Sequence, residues 1–263
     1  MRTFSHPGYK RFLLSVGCLL SIHFTALFFL TLFRLVFFFS ANYDFPDQEH
    51  VGFMSIWPAF IRGVWFDNVI ACYILLIPLV AVSISALFNY YGKILWNVTC
   101  IFFSLFYGIV LLVTAANIPY FQYFFKIINS SVFNWFGYMN TTAGMVFGET
   151  SYYPPLIGFL LTLVLFIWLM RRLIRHFQRL LNTKNPSVFW LDRIYIFLTA
   201  GICIGLCLFG IRGRTGYNPI KVSAAYYCTD PFLNQLGISP VFNLLSSTLD
   251  DSRKENRYLH LMP

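Results

Sequence analysis

Three arginines are the side chains in this sequence best suited to hold an anionic ligand. Arg212 and Arg214 lie in the stretch Ile-Arg-Gly-Arg-Thr-Gly, and Arg62 begins the stretch Arg-Gly-Val-Trp-Phe-Asp. A guanidinium group is permanently charged and binds a phosphate group through two parallel hydrogen bonds. We therefore predict that Arg62, Arg212 and Arg214 contact phosphate groups. Simple anchoring of a helix end is the alternative for the pair at 212 and 214.

Other reactive side chains are few. The only cluster of potential metal ligands comprises Asp44, Asp47, Glu49 and His50. Its spacing matches no metal-binding motif, so we expect a solvated acidic loop. Cys203 and Cys207 lie four residues apart, and we interpret them as small apolar residues, although a metal or redox pair is conceivable. The sequence thus predicts no catalytic residue and no metal site.

The composition assigns these residues to a membrane protein. Hydrophobic residues make up 58% of the 263 residues and charged residues only 11%, whereas soluble domains carry about 25% charged residues. Aromatic residues reach 20%, which suits a chain with many ring-bearing ends at a bilayer surface. These values exclude a water-soluble globule, a disordered chain and a disulfide-rich secreted scaffold.

Five apolar stretches approach or exceed the length of about 20 residues that a bilayer demands. They cover residues 12–39, 67–88, 94–117, 154–173 and 190–211. We therefore predict an all-α membrane protein with five transmembrane helices in residues 1–211 and a short extracytoplasmic tail, 212–263. The first stretch exceeds the 7 to about 15 residues of a signal-peptide core, which indicates an uncleaved anchor. His23, deep in that span, is expected to bond a neighbouring helix.

The distribution of basic residues orients the predicted spans. Flanks on the N-terminal side of the membrane hold twice as many lysine and arginine residues as flanks on the other side. The positive-inside rule then predicts a cytoplasmic N-terminus and an extracytoplasmic C-terminus in a plasma membrane. Arg34, near the outer end of the first span, is expected either to reach the headgroups or to pair with Asp67.

Two predicted outer segments, Val51–Trp65 and Ile118–Met139, are rich in aromatic residues. The second carries one charge, Lys126, and the first is expected to be broken by Pro58. We predict that both lie as interfacial helices on the outer leaflet, with a plain aromatic belt as the alternative. Gly201 and Gly205 form a G-x-x-x-G pair, which we expect to serve packing within the helix bundle.

Several stretches together resemble the membrane domain of the lipoteichoic acid synthase and phosphoglycerol transferase family. They are residues 62–67, Asn117-Ile118-Pro119-Tyr120-Phe121, and the run from Arg212 to Asn243. The resemblance covers essentially the whole chain. It implies a linker helix followed by an extracytoplasmic catalytic domain of the alkaline phosphatase and sulfatase type. Such a domain uses a threonine nucleophile and a manganese or magnesium ion to transfer phosphoglycerol from phosphatidylglycerol, and relatives transfer phosphoethanolamine or cleave sulfate esters.

The resemblance also defines the expected division of labour. Residues 212–263 are too few for an α/β catalytic domain, so we expect that domain, its nucleophile and its metal to lie beyond Pro263. The expected partners are phospholipid headgroups and the protein's own catalytic domain, and no nucleic acid. The membrane domain would anchor and position the enzyme. A non-catalytic scaffold or a small lipid-handling transporter is the alternative.

Overall fold

The computed structural model describes residues 7–41, 53–138, 144, 148, 150–181 and 190–259. Five long helices are present, which we number α1 (Pro7–Ser40), α2 (Phe53–Leu87), α3 (Lys93–Phe124), α4 (Tyr153–Leu181) and α5 (Trp190–Arg212). Two shorter helices follow, α6 (Pro231–Leu236) and α7 (Pro240–Leu259). Short 3-10 segments occupy Ser130–Tyr138, Thr150–Tyr152 and Val222–Ala225. No strand occurs in these described ranges.

The helices α1 to α5 are each long and apolar enough to cross a membrane. The prediction of an all-α membrane protein with five candidate spans is therefore confirmed. The first three helices are longer than the apolar stretches that predicted them, with 34, 35 and 32 residues. A helix of this size is about 50 Å long and exceeds the hydrocarbon layer of about 30 Å. Their ends therefore extend beyond the bilayer core.

This extension corrects the expected bounds of the two aromatic segments, and their place at the membrane interface stays a prediction. Most of the first segment is the beginning of α2, which continues through Pro58 without a break. Pro58 lies in the second helical turn, where it has no backbone N–H to donate to the preceding turn. The residues from Ile118 to Phe124 are likewise the end of α3, and only Ser130–Tyr138 forms a separate short helix. Val51, Gly52 and Met139 lie outside the described residues.

The contacts within the chain define two compact units, of which the first comprises Met1–Phe28, Asn68–Gly108 and Leu163–Pro219. Its core contains large, fully buried side chains, and the rings of Tyr107 and Phe166 meet edge to face with centroids 5.3 Å apart. His23 Nε2 lies 3.0 Å from Asn68 Oδ1 on α2. The expectation that His23 bonds a neighbouring helix is confirmed.

The first unit also contains a charged contact at the end of α4. Arg11 Nη2 donates a 2.9 Å hydrogen bond to the carbonyl oxygen of Leu181. The guanidinium carbon also lies 4.9 Å from the centre of the Tyr91 ring. A cation at this position satisfies one of the carbonyl groups that a helix leaves unpaired at its C-terminus. Arg11 therefore links the first turns of α1 to the end of α4.

The packing of α5 differs from the expectation for its glycine pair. A Cβ atom added at Gly201 or Gly205 would have no atom of the described residues within 4 Å, so none of these residues supports the predicted packing role. Instead, α5 approaches α2 at Gly210, where an added Cβ would lie 2.5 Å from Cys72 Sγ. Cys207 Sγ donates to the carbonyl oxygen of Cys72 at 3.3 Å. Cys207 therefore serves as a small packing residue against α2.

Candidate functional site

The second unit comprises Phe29–Asp67, Ile109–Thr162 and Ile220–Pro263, and it contains the C-terminal segment on which the candidate site is built. The segment's short helix, α6, begins with Pro231 directly after Asp230. The Asp230 carboxylate accepts a 2.8 Å hydrogen bond from the backbone N–H of Leu233. An aspartate cap followed by proline is a strong helix start. This local signal explains why six residues suffice for a helix.

A buried ring cluster packs α6 against the long helices of the second unit. The ring of Phe232 lies 5.7 Å from that of Phe37 on α1 and 5.6 Å from that of Phe121 on α3. The rings of Phe37 and Phe121 are themselves 5.0 Å apart and nearly perpendicular. All three side chains are almost fully buried. Edge-to-face contacts between buried rings stabilise by about 1 kcal/mol each beyond their burial.

Arg34 forms the polar part of this packing. Its Nη2 atom donates to Asp67 Oδ2 at 2.6 Å, and the two side chains are only 5% and 2% exposed. Its Nη1 atom donates to the carbonyl oxygen of Ile238 at 3.1 Å and to that of Leu236. Of the two expectations for Arg34, pairing with Asp67 is therefore confirmed. Arg34 also satisfies carbonyl groups at the end of α6, which the sequence did not predict.

Gly63 makes this arrangement possible. A Cβ atom at Gly63 would lie 2.2 Å from the guanidinium carbon of Arg34. Since that carbon is the rigid centre of a buried ion pair, the position requires glycine for close approach rather than for backbone freedom. The stretch that begins with Arg62 therefore contains two features: Arg62 itself, and Gly63, which leaves space for the side chain of Arg34.

The loop before α6 is organised by Asn234, which is buried. Its Oδ1 atom accepts hydrogen bonds from the backbone N–H groups of Tyr227 at 2.9 Å and of Cys228 at 3.3 Å. Its Nδ2 atom donates to the carbonyl oxygen of Cys228 at 2.7 Å. One amide side chain thus replaces the backbone partners that this loop lacks. Asn234 thereby fixes the position of Tyr227.

Arg62 is held on this loop. Its guanidinium carbon lies 4.4 Å from the centre of the Tyr227 ring, and its Nε atom donates to the carbonyl oxygen of Ala224 at 3.2 Å. The Tyr227 hydroxyl donates to the carbonyl oxygen of Ser55 at 2.6 Å. Burial raises the pKa of Tyr227, so the phenol stays protonated and keeps this bond. The two terminal nitrogens of Arg62 have no hydrogen-bond partner within the described ranges.

The other two predicted arginines belong to the first unit, at the end of α5. Gly213 adopts a left-handed φ of 72°, and its N–H bonds the carbonyl oxygen of Phe209 at 3.0 Å, which ends the helix. Arg212 Nη2 donates to the carbonyl oxygens of Gly216 at 2.5 Å and Tyr217 at 2.8 Å. Arg212 therefore closes its own turn. Arg214 is exposed, and its guanidinium lies along Gly216.

No family model, curated protein or solved structure matches this chain. The functional argument therefore depends on the geometry of these arginines. The described residues contain no group of three histidine, cysteine, aspartate or glutamate side chains that could hold a metal ion. Asp44, Asp47, Glu49 and His50 lie outside the described residues.

The Arg62 and Tyr227 pair is the best-formed candidate site. Ring stacking and the Nε hydrogen bond fix the plane of the guanidinium and leave its two-pronged edge for a ligand. Such an edge matches the oxygens of a phosphate or sulfate group. Sequence reasoning identified Arg62 but not Tyr227 or Asn234. Only the Asp-Pro start of α6 gave a local signal for that region.

Proposed function

We propose that this chain is the membrane domain of an extracytoplasmic phospho-group transferase or sulfatase-type enzyme. The enzyme would act on lipid headgroups or cell-envelope glycans in a bacterial plasma membrane, with its N-terminus in the cytoplasm. The observation that carries this proposal is the guanidinium of Arg62 on α2, which Ala224 and Tyr227 of the C-terminal segment hold in place. The buried Arg34 and Asp67 pair attaches that segment to the long helices. This arrangement supports a role in positioning, with an anion contact at the same place.

The physical benefit of such a domain is concentration of the enzyme at its substrate. A catalytic domain that is tethered at the membrane surface meets headgroups at a much higher effective concentration than a free one. The tether must also hold a preferred direction, because orientation contributes to rate as well as proximity. Arg34 holds the carbonyl oxygen of Ile238 at the end of α6, and α7 begins directly afterwards. The direction in which the chain leaves the membrane domain is thereby fixed.

Within this proposal the three arginines have different roles. Arg62 and Arg214 each contact phosphate groups of lipids such as phosphatidylglycerol, at separate places, while Arg212 shapes the turn that presents Arg214. The divalent metal and the nucleophile of the transfer reaction belong to the catalytic domain that the resemblance implies. This chain contributes binding and positioning.

Lipid binding tests the assigned role of Arg62. The affinity of the full natural chain for phosphatidylglycerol is measured in detergent by competition with a fluorescent analogue. We expect Arg62→Ala to weaken binding about tenfold, the scale of one charge-assisted hydrogen bond. Arg171→Ala, which removes an exposed arginine on α4, is the matched control and should bind normally. Equal affinity of the Arg62 variant and the wild type would remove Arg62 from the site.

The coding sequence beyond Pro263 tests the enzymatic part separately. We expect it to continue into an α/β domain with a threonine nucleophile and metal ligands. A stop codon directly after Pro263 would contradict the transferase proposal and leave lipid binding to be explained by a scaffold or transporter.

A further inference from the structure

An aromatic surface in the second unit is not used by the site described above. It begins at the last turn of α3 and continues through the 3-10 segment Ser130–Tyr138. Large rings are exposed along it, among them Tyr123 at 73%, Phe125 at 65% and Tyr138 at 74%. Lys126 is the only charged residue between Phe124 and Tyr138. We refer to residues 124–138 as the aromatic segment.

The chain reverses direction where the aromatic segment leaves α3. Phe125 has a positive φ of 53°, and its N–H bonds the carbonyl oxygen of Phe121 at 2.8 Å. The buried side chain of Asn117 then accepts a 3.0 Å hydrogen bond from the N–H of Ile128. A left-handed conformation is unfavourable for a bulky residue, so it persists only where the surroundings fix it. The reversal is therefore a built feature of the fold.

Ring contacts define the level of the segment relative to the end of α3. The ring of Trp135 lies 5.7 Å from that of Tyr120 and 5.7 Å from that of Phe124. Both partners belong to the last turns of α3, a helix long and apolar enough to cross a membrane. Trp135 therefore lies within about one helical turn, or roughly 5 Å, of the end of a candidate span. Tryptophan and tyrosine are favoured at this depth because their rings are apolar and their tips polar.

The polar side of the aromatic segment is joined to α7. The N–H of Ser130 donates to Ser247 Oγ at 2.9 Å, and the Ser130 hydroxyl donates to the carboxylate of Asp251. Asn243 Nδ2 donates to the carbonyl oxygen of Ile128 at 2.9 Å. These bonds attach one side of the segment to three positions along α7. The position of α7 therefore follows the position of the aromatic segment.

We propose that the aromatic segment is an in-plane membrane anchor that sets the height and direction of α7 above the bilayer. Its partner is the boundary between headgroups and acyl chains at this end of α3. The continuity with α3, the stacking of Trp135 on its last turns and the near absence of charge all favour this occupant. The inference is independent of phospho-group transfer and would hold for a scaffold as well.

Fluorescence quenching in liposomes tests the membrane contact. The contribution of Trp135 is obtained as the difference between the wild type and Trp135→Phe, which keeps an aromatic ring. We expect lipids brominated near the headgroup to quench this contribution more than lipids brominated near the chain end, and aqueous iodide to quench it little. Trp96→Phe gives the matched difference for a tryptophan that is only 1% exposed. Quenching by iodide and by neither lipid would overturn the anchor, as would stronger quenching from the chain end.

Hydrogen exchange tests the coupling to α7. Ser247→Ala and Asp251→Ala should raise amide exchange in residues 243–253 about fivefold, the effect of one lost hydrogen bond on a local opening. Quenching of Trp135 should stay at its wild-type value. Thr248→Ala is the matched control, because among the described residues the Thr248 hydroxyl bonds only the carbonyl oxygen of Leu244 in its own helix. Unchanged exchange in both test variants would show that α7 is not held by the aromatic segment.

Discussion

Arg34 Nη2 donates a 2.6 Å hydrogen bond to Asp67 Oδ2, and the surrounding helices bury both side chains almost completely. The same guanidinium holds the carbonyl oxygens at the end of α6. A single side chain therefore joins α1, α2 and the C-terminal segment. Substitutions at this junction should therefore change the stability of the protein.

Loss of one partner of the ion pair should be more harmful than loss of both. Asp67→Asn leaves a buried guanidinium charge without its carboxylate, and we expect the free energy of unfolding to fall by about 3–5 kcal/mol. The double variant Arg34→Met and Asp67→Leu should lose less than the sum of the two single changes. Denaturant titration in detergent measures the wild type, Asp67→Asn, the single variants Arg34→Met and Asp67→Leu, and the double variant. Strict additivity would contradict an energetic coupling between the two side chains.

The space at Gly63 should be essential. Gly63→Ala places a methyl group 2.2 Å from the guanidinium carbon of Arg34, so the ion pair must move and the protein should lose stability. Gly201→Ala is the matched control in another long helix, where an added Cβ meets no described atom. The control should be neutral or stabilising by up to about 1 kcal/mol, because alanine favours helices. Equal stability of Gly63→Ala and the wild type would show that Arg34 has room to move.

The phenol of Tyr91, between α2 and α3, should make stability decrease at high pH. Burial raises the pKa of Tyr91 to about 12, although the nearby Arg11 charge lowers it. The unfolded chain releases this proton near pH 10, so the native state binds more protons between about pH 10 and 12. The associated stability is present below that window and decreases as the pH rises through it. The melting temperature of Tyr91→Phe should therefore fall less steeply across this pH window than the melting temperature of the wild type.

The loop that carries Tyr227 should loosen when Asn234 is replaced. Asn234→Ala removes the acceptor for two backbone N–H groups and the donor to the carbonyl oxygen of Cys228. We expect faster reaction of the Cys228 thiol with a water-soluble maleimide, because its Sγ atom lies 3.5 Å from Asn234 Oδ1. Asn218→Ala, at an exposed position, is the control. An unchanged reaction rate would show that the loop is held by other contacts.

The same loosening should affect the candidate site. If Asn234 fixes Tyr227, and Tyr227 fixes the plane of Arg62, then Asn234→Ala should weaken phosphatidylglycerol binding less than Arg62→Ala does. Tyr227→Phe keeps the ring beneath the guanidinium and loses only the bond to Ser55, so its binding should stay near the wild-type value. A large loss of binding in Tyr227→Phe would assign the hydroxyl itself to the site.

Sequence reasoning reached the fold because hydropathy alone determines which segments enter a membrane. It also offered Asp67 as a partner of Arg34, since an isolated charge in an apolar helix requires compensation. Helix ends were less predictable. Aromatic residues such as Trp57 and Trp65 suit both an interfacial segment and a helix that continues beyond the bilayer core, and hydropathy does not separate the two.

The candidate site was predicted only in part, for a different physical reason. Arg62 stands out as a charge beside an apolar run, but its partners Ala224 and Tyr227 lie more than 160 residues later in the chain. Pairing over such distances depends on how the helices pack, and a single sequence carries no local signal for it. The exposed pair Gly201 and Gly205 illustrates the opposite error, in which a local motif has no neighbour among the described residues.

The bonds from Arg34 to the end of α6 also bear on how the protein is made. Arg34 emerges from the ribosome early, whereas the carbonyl groups that it holds follow 202 and 204 residues later. The first two helices are therefore made before the carbonyl groups that accept hydrogen bonds from Arg34 have been translated. Assembly of this end is completed only after α6 and Ile238 have been translated, so a ribosome that stalls before α6 leaves a nascent chain suited to recognition by membrane quality control.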